Sequence, residues 1–325
     1  MEKNISRRDL MKKGIGGLVS IFGLSGCGIN MPGPGGVIAS QPNPTWLTEY
    51  IGENASEKMR GIAYTCKAGH IDIAHLKKFA EFSKVYKDRA ELFLRQGKTN
   101  FTFSGNEPIK YYVNFDYPKD WNFLNKNQKL EKIEETSIRM GQYFSYLSSI
   151  GHEIITGFGW KRIWFVPEKQ SSFTWEDGYS NALGCYLAGF AMRDKTKPFK
   201  ESLNSYIDIE MKRLGVQPKD ISKKAVLDVE VIWYKGDKVL MRNFDTGFLD
   251  GYITPNIAYS SECRNVDPVS CPIPTLKEVQ KLGFNVNVNF KFNYGKDKLR
   301  QIFGEKEIYE PKDFIPMIEY LKKTL

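Results

Sequence analysis

The feature that most constrains the fold is a long amphipathic tract between residues 130 and 158. Apolar side chains recur there at three- and four-residue spacing, at Leu130, Ile133, Met140, Phe144, Leu147, Ile154 and Phe158. Residues three and four apart lie on one face of an α-helix, so this spacing predicts a helix with one buried face. It is the clearest of four predicted helices in the chain.

The other predicted helices and strands set the fold class. Helical patterns also cover residues 71–95, 174–193 and 314–323. Strand patterns predict a hairpin over residues 100–117, a strand over 160–166, a hairpin over 227–245 and an alternating strand over 284–292. The predicted class is α+β, with helices mainly in the N-terminal half packed with antiparallel hairpins mainly in the C-terminal half.

The N-terminus predicts export and lipidation. Ser-Arg-Arg-Asp-Leu-Met-Lys at residues 6–12 resembles the twin-arginine export motif, and the apolar run that follows is too short to span a bilayer permanently. The run ends in Leu-Ser-Gly-Cys, which resembles a bacterial lipobox. The resemblance implies that residues 1–26 are a signal peptide and that Cys27 carries acyl chains such as palmitate. The alternative is a membrane-anchoring helix with an incidental cysteine.

These signals also predict the cellular location and the domain organisation of the protein. Gly28, rather than aspartate, follows the lipidated cysteine and favours the outer membrane, with the protein on its periplasmic face. Residues 27–46 are rich in Gly, Pro and Asn and are predicted to be a lipidated flexible tether. The remaining residues 47–325 are numerous enough for a single large domain.

The charge of the chain bears on its partners. The formal net charge is +9, and removal of residues 1–26 takes away five basic and two acidic side chains, which leaves +6. This modest basic excess suits a surface near anionic lipid, peptidoglycan or an envelope protein. The chain has no arginine-rich run and no ordered basic–aromatic repeat, so nucleic acid is not an expected partner.

Four cysteines remain after Cys27. In an oxidising compartment disulfides are the expected state. Cys263 and Cys271 flank a short proline-bearing segment, which predicts a local bridge between them. Cys66 and Cys185 are predicted either to form a second bridge or to remain buried thiols. The spacing of the cysteines argues against a structural zinc finger.

The chain has three histidines, and they lie in two short segments. His70 and His75 flank Asp72, while His152 is followed by Glu153. The segment Thr-Trp-Glu-Asp adds the acidic pair Glu176 and Asp177. Packing of these segments side by side would bring the histidines to one divalent metal, with zinc the first expectation.

In this hypothesis the metal ligands are His70, Asp72, His75 and His152. Glu153, Glu176 and Asp177 are the candidate catalytic carboxylates, and Glu153 is the first candidate for general base. Three protein ligands plus a bound water generate a hydroxide near neutral pH, which predicts a zinc hydrolase of an envelope substrate. Against this, His152 and Glu153 do not continue into a zincin H-E-x-x-H motif, because position 156 is threonine. Histidines that only satisfy structural hydrogen bonds are the simpler interpretation.

Two further hypotheses stay open. Cys66 activated by a histidine would make the protein a cysteine peptidase or amidase. Alternatively, the protein is a non-enzymatic lipoprotein that binds peptidoglycan or a partner protein through exposed aromatic residues, for which the candidates are Trp121, Trp160, Trp164, Trp175 and Trp233.

Three segments of the chain resemble one family. The segments RGIAYTCKAGHIDIAHLKKFAEF, GHEIITGFGW and SSFTWEDGYSNALG are similar to an uncharacterised family of bacterial lipoproteins, domain of unknown function 4056. The resemblance covers most of the chain from about residue 61 onward. It implies an envelope location and one domain, and it supplies no activity and no catalytic residue.

Overall fold

The computed structural model describes residues 50–160, 169–236, 238–258 and 263–325. Cys27, the signal peptide, the tether and the predicted strand over residues 160–166 lie wholly or almost wholly outside this part of the chain. Within it, no helix combines the length and the apolar character needed to cross a membrane.

The described elements confirm the α+β class. The helices are α1 Ile73–Arg95, α2 Lys126–Gly157, α3 Asp177–Arg193, α4 Phe199–Leu214, α5 Lys219–Leu227, α6 Lys277–Lys281, α7 Lys296–Phe303 and α8 Phe314–Thr324. The strands are β1 Tyr50–Ile51, β2 Ile62–Thr65, β3 Gly69–Asp72, β4 Asn100–Ser104, β5 Ile109–Asp116, β6 Tyr234–Lys235, β7 Lys238–Val239, β8 Tyr252–Ile253, β9 Cys271–Pro272 and β10 Asn285–Phe292.

The strands form four small sheets. In the first, β1 pairs parallel to β2, and β2 pairs antiparallel to β3 with Tyr64 opposite His70. In the second, β5 lies between β4 and β10, and both pairings are antiparallel. The remaining sheets are the two-stranded pairs β6–β7 and β8–β9. The predicted strands over residues 100–117 and 284–292 are therefore neighbours in one sheet.

The long predicted helix is α2, and it begins earlier than its apolar pattern. Asn125 caps it in a capping box with Gln128, in which each side chain accepts from the other residue's backbone N–H. The face of α2 packs against α1 and α3. Close approach depends on glycine: a Cβ on Gly141 would lie 2.4 Å from the carbonyl oxygen of Ser83 on α1.

The predicted hairpin over residues 227–245 is confirmed beside its turn, where Tyr234 pairs with Val239 and Lys235 with Lys238, but its predicted strands are much too long. Leu227 ends α5, and the residues after it form tight turns in which Trp233 N–H donates to Val229 O. Val231 adopts a positive φ of 62°, which extended backbone does not allow. The two strands that remain, β6 and β7, have two residues each. Helices α4 to α7 were not predicted.

Cysteine pairing differs from both predicted bridges. The structure joins Cys66 to Cys263, while Cys185 and Cys271 are buried free thiols. For Cys185 this confirms the alternative prediction of a buried thiol. Cys66 lies in the β2–β3 turn and packs with Cys263 in a small apolar cluster, whereas Cys271 belongs to the main core. Packing in two separate clusters thus prevents the local 263–271 bridge. The disulfide also removes Cys66 as a free thiol nucleophile.

The tryptophans are less exposed than the binding hypothesis requires. Trp175 is fully buried, and Trp121, Trp160 and Trp233 are half-buried. Trp121 and Trp160 pack against the main core, which includes side chains from Ile51 to Leu321. Trp164 lies outside the described residues. These side chains act mainly in packing rather than as an exposed aromatic surface.

Candidate metal centre

The candidate site begins where β3 passes into α1. Asp72 is the N-cap of α1, and its Oδ1 accepts from the backbone N–H groups of Ala74 at 2.7 Å and His75 at 3.1 Å. The same carboxylate places Oδ2 3.8 Å from Nδ1 of His75. One aspartate therefore caps the helix and presents an oxygen to the first histidine on it.

The start of α3 supplies the third member. Asp177 is the first residue of α3, and its Oδ1 contacts Nδ1 of His75 directly. The hydroxyl of Thr174 lies 2.6 Å from Asp177 Oδ2 and fixes the carboxylate from its other side. Asp72 and α3 are also joined directly, since the Asp72 N–H donates to Ser180 Oγ at 2.9 Å.

A glycine allows α3 to approach α1 this closely. A Cβ on Gly184 would lie 2.1 Å from the carbonyl oxygen of Leu76, the residue after His75. Any larger side chain would force the two helices apart. The contact between Asp177 and His75 thus depends on a small residue two turns along α3.

Asp72, His75 and Asp177 form a group with metal-ligand geometry. One ligand atom from each residue lies within 4.8 Å of the others. His75 and Asp177 are almost fully buried, with side chains 5% and 3% exposed, whereas the Asp72 side chain is 13% exposed. Asp72 is therefore the least buried member of the group.

Two more carboxyl groups lie beside this group. Glu153 on α2 accepts the Phe173 N–H through Oε2 at 2.8 Å, and Phe173 holds a positive φ of 55°. Glu176 precedes Asp177, and its Oε1 lies 3.0 Å from the Thr174 hydroxyl. The second oxygens, Glu153 Oε1 and Glu176 Oε2, are buried and have no hydrogen-bond partner among the described residues. Buried unpartnered oxygens are costly and need an explanation.

The crowding of acids shifts the pKa of every member. Burial, reinforced by the charge of Asp177, raises the pKa of Glu153 to about 8 and that of Glu176 well above its usual range. Burial also raises the pKa of Asp72. Burial alone would lower the pKa of His75, but the Asp177 and Asp72 carboxylates raise it to about 10. The charge and hydrogen bond of His75 overcome burial and lower the pKa of Asp177.

The charges at the group fit a divalent cation. The carboxylates of Asp72 and Asp177 face the His75 imidazole, and the carboxyl groups of Glu153 and Glu176 lie close enough to Asp177 to be affected by its charge. The site therefore carries a surplus of negative charge when all four are ionised. Buried charges persist when they are paired or bound to a metal. One imidazole nitrogen with carboxylate oxygens is a donor set that zinc and other divalent transition metals accept. The group is compatible with a bound metal ion.

His152 lies next to the group without being a member of it. Its ring centroid is 6.4 Å from that of His75, and its Nδ1 is 3.0 Å from Oε2 of Glu107. Oε1 of Glu107 lies 2.9 Å from Nζ of Lys78 on α1. Burial lowers the pKa of His152. Burial alone would raise the pKa of Glu107, but its contacts with His152 and Lys78 outweigh burial and hold that pKa well below its usual range.

His70 is placed elsewhere. Its ring is buried among the rings of Tyr64, Trp175 and Trp233, with centroid distances of 5.2 to 6.1 Å. Burial lowers the pKa of His70 to about 4, so the imidazole is neutral. The structure therefore does not bring His70 to the carboxylates, although it lies only two residues before Asp72.

Sequence reasoning missed Glu107 and Lys78. Lys78 is three residues after His75 and so lies on the same helix face, a signal that the spacing contained. Glu107 follows the Gly105-Asn106 turn and carried no signal, because its partner His152 is 45 residues away.

The comparisons with known proteins give a family and no activity. No curated protein and no solved structure shows a significant match to the chain. The family model described as "Protein of unknown function (DUF4056)" matches residues 43–246, and this range includes all the residues of the candidate metal centre. Because the match covers more than half of the sequence, the chain belongs to the DUF4056 family of proteins of unknown function.

Proposed function

We propose that this protein is a metal-dependent hydrolase, with zinc as the metal, that acts on the bacterial cell envelope. The observation that carries the proposal is the buried group of Asp72, His75 and Asp177, whose ligand atoms lie within 4.8 Å of one another. Two adjacent carboxyl oxygens without described partners support it, because a cation would satisfy them.

The chemistry follows from the residues around the group. Asp72, His75 and Asp177 would hold the metal, and a metal with three protein ligands would keep a position for water and lower the pKa of that water. Glu153 is the carboxylate best suited to accept a proton, since Phe173 N–H orients its Oε2 and leaves Oε1 available. The more exposed Asp72 side is the side from which a substrate approaches.

The envelope location rests on the N-terminal sequence. A twin-arginine-like motif followed by a lipobox-like segment supports acylation of Cys27 and attachment to the outer membrane, facing the periplasm. A disulfide between Cys66 and Cys263 is consistent with an oxidising compartment. Peptidoglycan is the first substrate to test, because it is the polymer that a hydrolase anchored to the outer membrane and facing the periplasm would contact.

Metal analysis of the protein exported through its own signal peptide is the primary test. We expect about one zinc per chain, and we expect His75→Ala and Asp177→Asn to lose it. His70→Phe is the matched control, because His70 is equally buried but lies outside the group. Folded wild-type protein that takes up no divalent metal would overturn the proposal, as would a His75→Ala protein that retains it.

A second test separates metal binding from hydrolysis. Glu153→Gln keeps the size of the side chain and the acceptor for Phe173 N–H, so the metal content should remain near the wild-type value. Release of soluble fragments from purified peptidoglycan should fall by about 100-fold or more, since general-base catalysis contributes on that order. A zinc-loaded wild-type protein that releases no fragments would refute peptidoglycan as the substrate.

A further inference from the structure

Glu107 occupies a position that packing alone does not explain. It lies in the turn between β4 and β5, its side chain is 3% exposed, and its two oxygens face two different helices. Oε1 lies 2.9 Å from Lys78 Nζ on α1, and Oε2 lies 3.0 Å from His152 Nδ1 on α2. An ionised carboxylate in the interior is kept only where its partners compensate its desolvation.

Hydrogen bonds hold this turn against the two helices. The Asn106 N–H donates to the hydroxyl of Tyr86 on α1 at 2.8 Å, and Gly105 N–H donates to Ile109 O at 2.7 Å. The Tyr86 hydroxyl lies 3.1 Å from Ser148 Oγ on α2. Glu107 is therefore presented from a fixed backbone.

Lys78 determines which oxygen of Glu107 is left to accept a hydrogen bond from His152. The ammonium group carries only donors, and its Nζ forms an ion pair with Oε1 of Glu107 at 2.9 Å, so this oxygen faces a positive charge. An ionised carboxylate has only acceptors, so Oε2 requires a proton on Nδ1 of His152. A neutral imidazole with its proton on Nδ1 carries its lone pair on Nε2.

We infer that Glu107 is a positioning residue that holds His152 in the Nδ1–H tautomer, so that His152 presents an acceptor nitrogen at the candidate metal centre. The His152 ring is 6.4 Å from that of His75, so the two imidazoles are neighbours. An acceptor at this place orients a ligand that has a hydrogen to donate, such as water, a hydroxyl or an amide N–H. The tautomer of His152 does not depend on the proposed function. Only the use of this tautomer in a reaction rests on the proposed function.

Nitrogen NMR of histidine-labelled, metal-free protein at pH 7.5 tests the inference. With three histidines in the chain, single substitutions assign the signals. We expect His152 to show a protonated Nδ1 and an unprotonated Nε2. A proton on Nε2, or on both nitrogens, would overturn the inference from the wild-type spectrum alone.

Glu107→Gln makes the test sharper. Lys78 must bind the amide oxygen, which turns the amide NH2 toward His152 Nδ1 and forces the proton onto Nε2. We expect this reversed tautomer and, under the proposed function, a loss of about 10- to 100-fold in kcat with zinc content unchanged. Glu210→Gln on α4, also a buried glutamate paired with a cation, is the matched control. An unchanged His152 tautomer in folded Glu107→Gln protein would refute the positioning role.

The outcomes distinguish the two proposals. Wild-type protein with the expected tautomer but no zinc keeps the positioning role and refutes the metal site. Zinc-loaded protein with the proton of His152 on Nε2 keeps the metal site and refutes the role of Glu107. Should Glu107→Gln fail to fold, Glu107→Asp serves instead, with a shorter carboxylate that keeps the acceptor and therefore the wild-type tautomer.

Discussion

Two histidines five residues apart lie in opposite surroundings. His70 and His75 are 2% and 4% exposed, so the depth of burial does not distinguish them. His70 lies among aromatic rings, and its pKa is lowered to about 4 by burial. His75 faces Asp177 and Asp72, and these carboxylates raise its pKa to about 10 despite burial. The difference shows that neighbouring charges, and not the depth of burial, separate the pKa values of the two histidines.

The largest expected effect comes from removing the charge of His75. His75→Gln leaves the surrounding carboxylates without their cation, and breaking a buried ion pair costs about 3–5 kcal/mol. We expect the free energy of unfolding of metal-free protein, measured with urea, to fall by that amount. His70→Phe under the same conditions is the control. Equal losses in the two variants would mean that the surroundings of the two histidines do not differ in energy.

Removing the disulfide should destabilise the region around His70 more than the region around His75. Cys66 and Cys263 close a loop of 197 residues, and replacing both by serine should cost about 2–4 kcal/mol. Hydrogen exchange should accelerate in the β2–β3 turn, while the amides of α1 and α3 around His75 keep their relative protection. Peptide mapping of non-reduced protein checks the pairing. A 263–271 linkage there would contradict the structure.

The sequence predicted the helices that carry His75 and His152 better than it predicted the contacts between distant residues. The periodicity of residues 130–158 located α2, because burial along one helix face leaves a direct mark in the spacing. The Asp72–His75 spacing was also visible, since both ends lie within one turn. The Cys66–Cys263 and Glu107–His152 contacts were not, because each joins residues distant in the chain and depends on how separate elements pack.

The placement of His70 also shows that spacing along the chain does not predict contacts with distant segments. Its spacing from Asp72 and His75 predicted a shared site, yet rings from Tyr64, Trp175 and Trp233 surround it. Trp175 and Trp233 come from segments more than 100 residues later in the chain. Local spacing defined which residues were near one another, but distant segments determined the chemistry around each.

The two regions should also differ in their response to pH. Between pH 6.5 and 8.5 the folded metal-free protein keeps a proton on His75, with its pKa of about 10, while the unfolded chain loses it. Stability that is complete below pH 6.5 is therefore lost as the pH rises toward 10. Glu153, with its pKa of about 8, also lowers the stability as the pH rises, because the folded protein keeps a proton on Glu153 that the unfolded chain has lost. His70 contributes little and with the opposite sign, because the unfolded imidazole is already half deprotonated at pH 6.5 and the folded one is neutral.

We expect a loss on the order of 4 kcal/mol over this interval, because His75 and Glu153 each contribute about 2 kcal/mol and one proton of difference is worth about 1.4 kcal/mol per pH unit. Urea unfolding at several pH values in the presence of a chelator measures it. The slope should be shallower in His75→Gln and nearly unchanged in His70→Phe. A slope of opposite sign in the wild-type protein would show that His75 is not held in its charged form.

The smallest effect is expected for His70→Phe at neutral pH. Phenylalanine is larger than histidine, and extra volume in a packed interior is unfavourable. The ring nitrogens of His70 make no hydrogen bond of normal geometry to the described residues, apart from a weaker interaction with the Ala225 backbone, so their removal relieves much of the cost of burying a polar group. These terms oppose each other, and we expect the free energy of unfolding to change by less than about 1.5 kcal/mol.

Acid conditions should reveal what His70 contributes. Its folded pKa of about 4 lies below the unfolded value of about 6.5, so the unfolded chain binds the extra proton and stability falls as the pH drops from 6.5 to 4. His70→Phe removes this term, and the variant should lose less stability than the wild type over that interval. An equal loss in both proteins would mean that His70 is charged in the folded state, which would remove the contrast with His75.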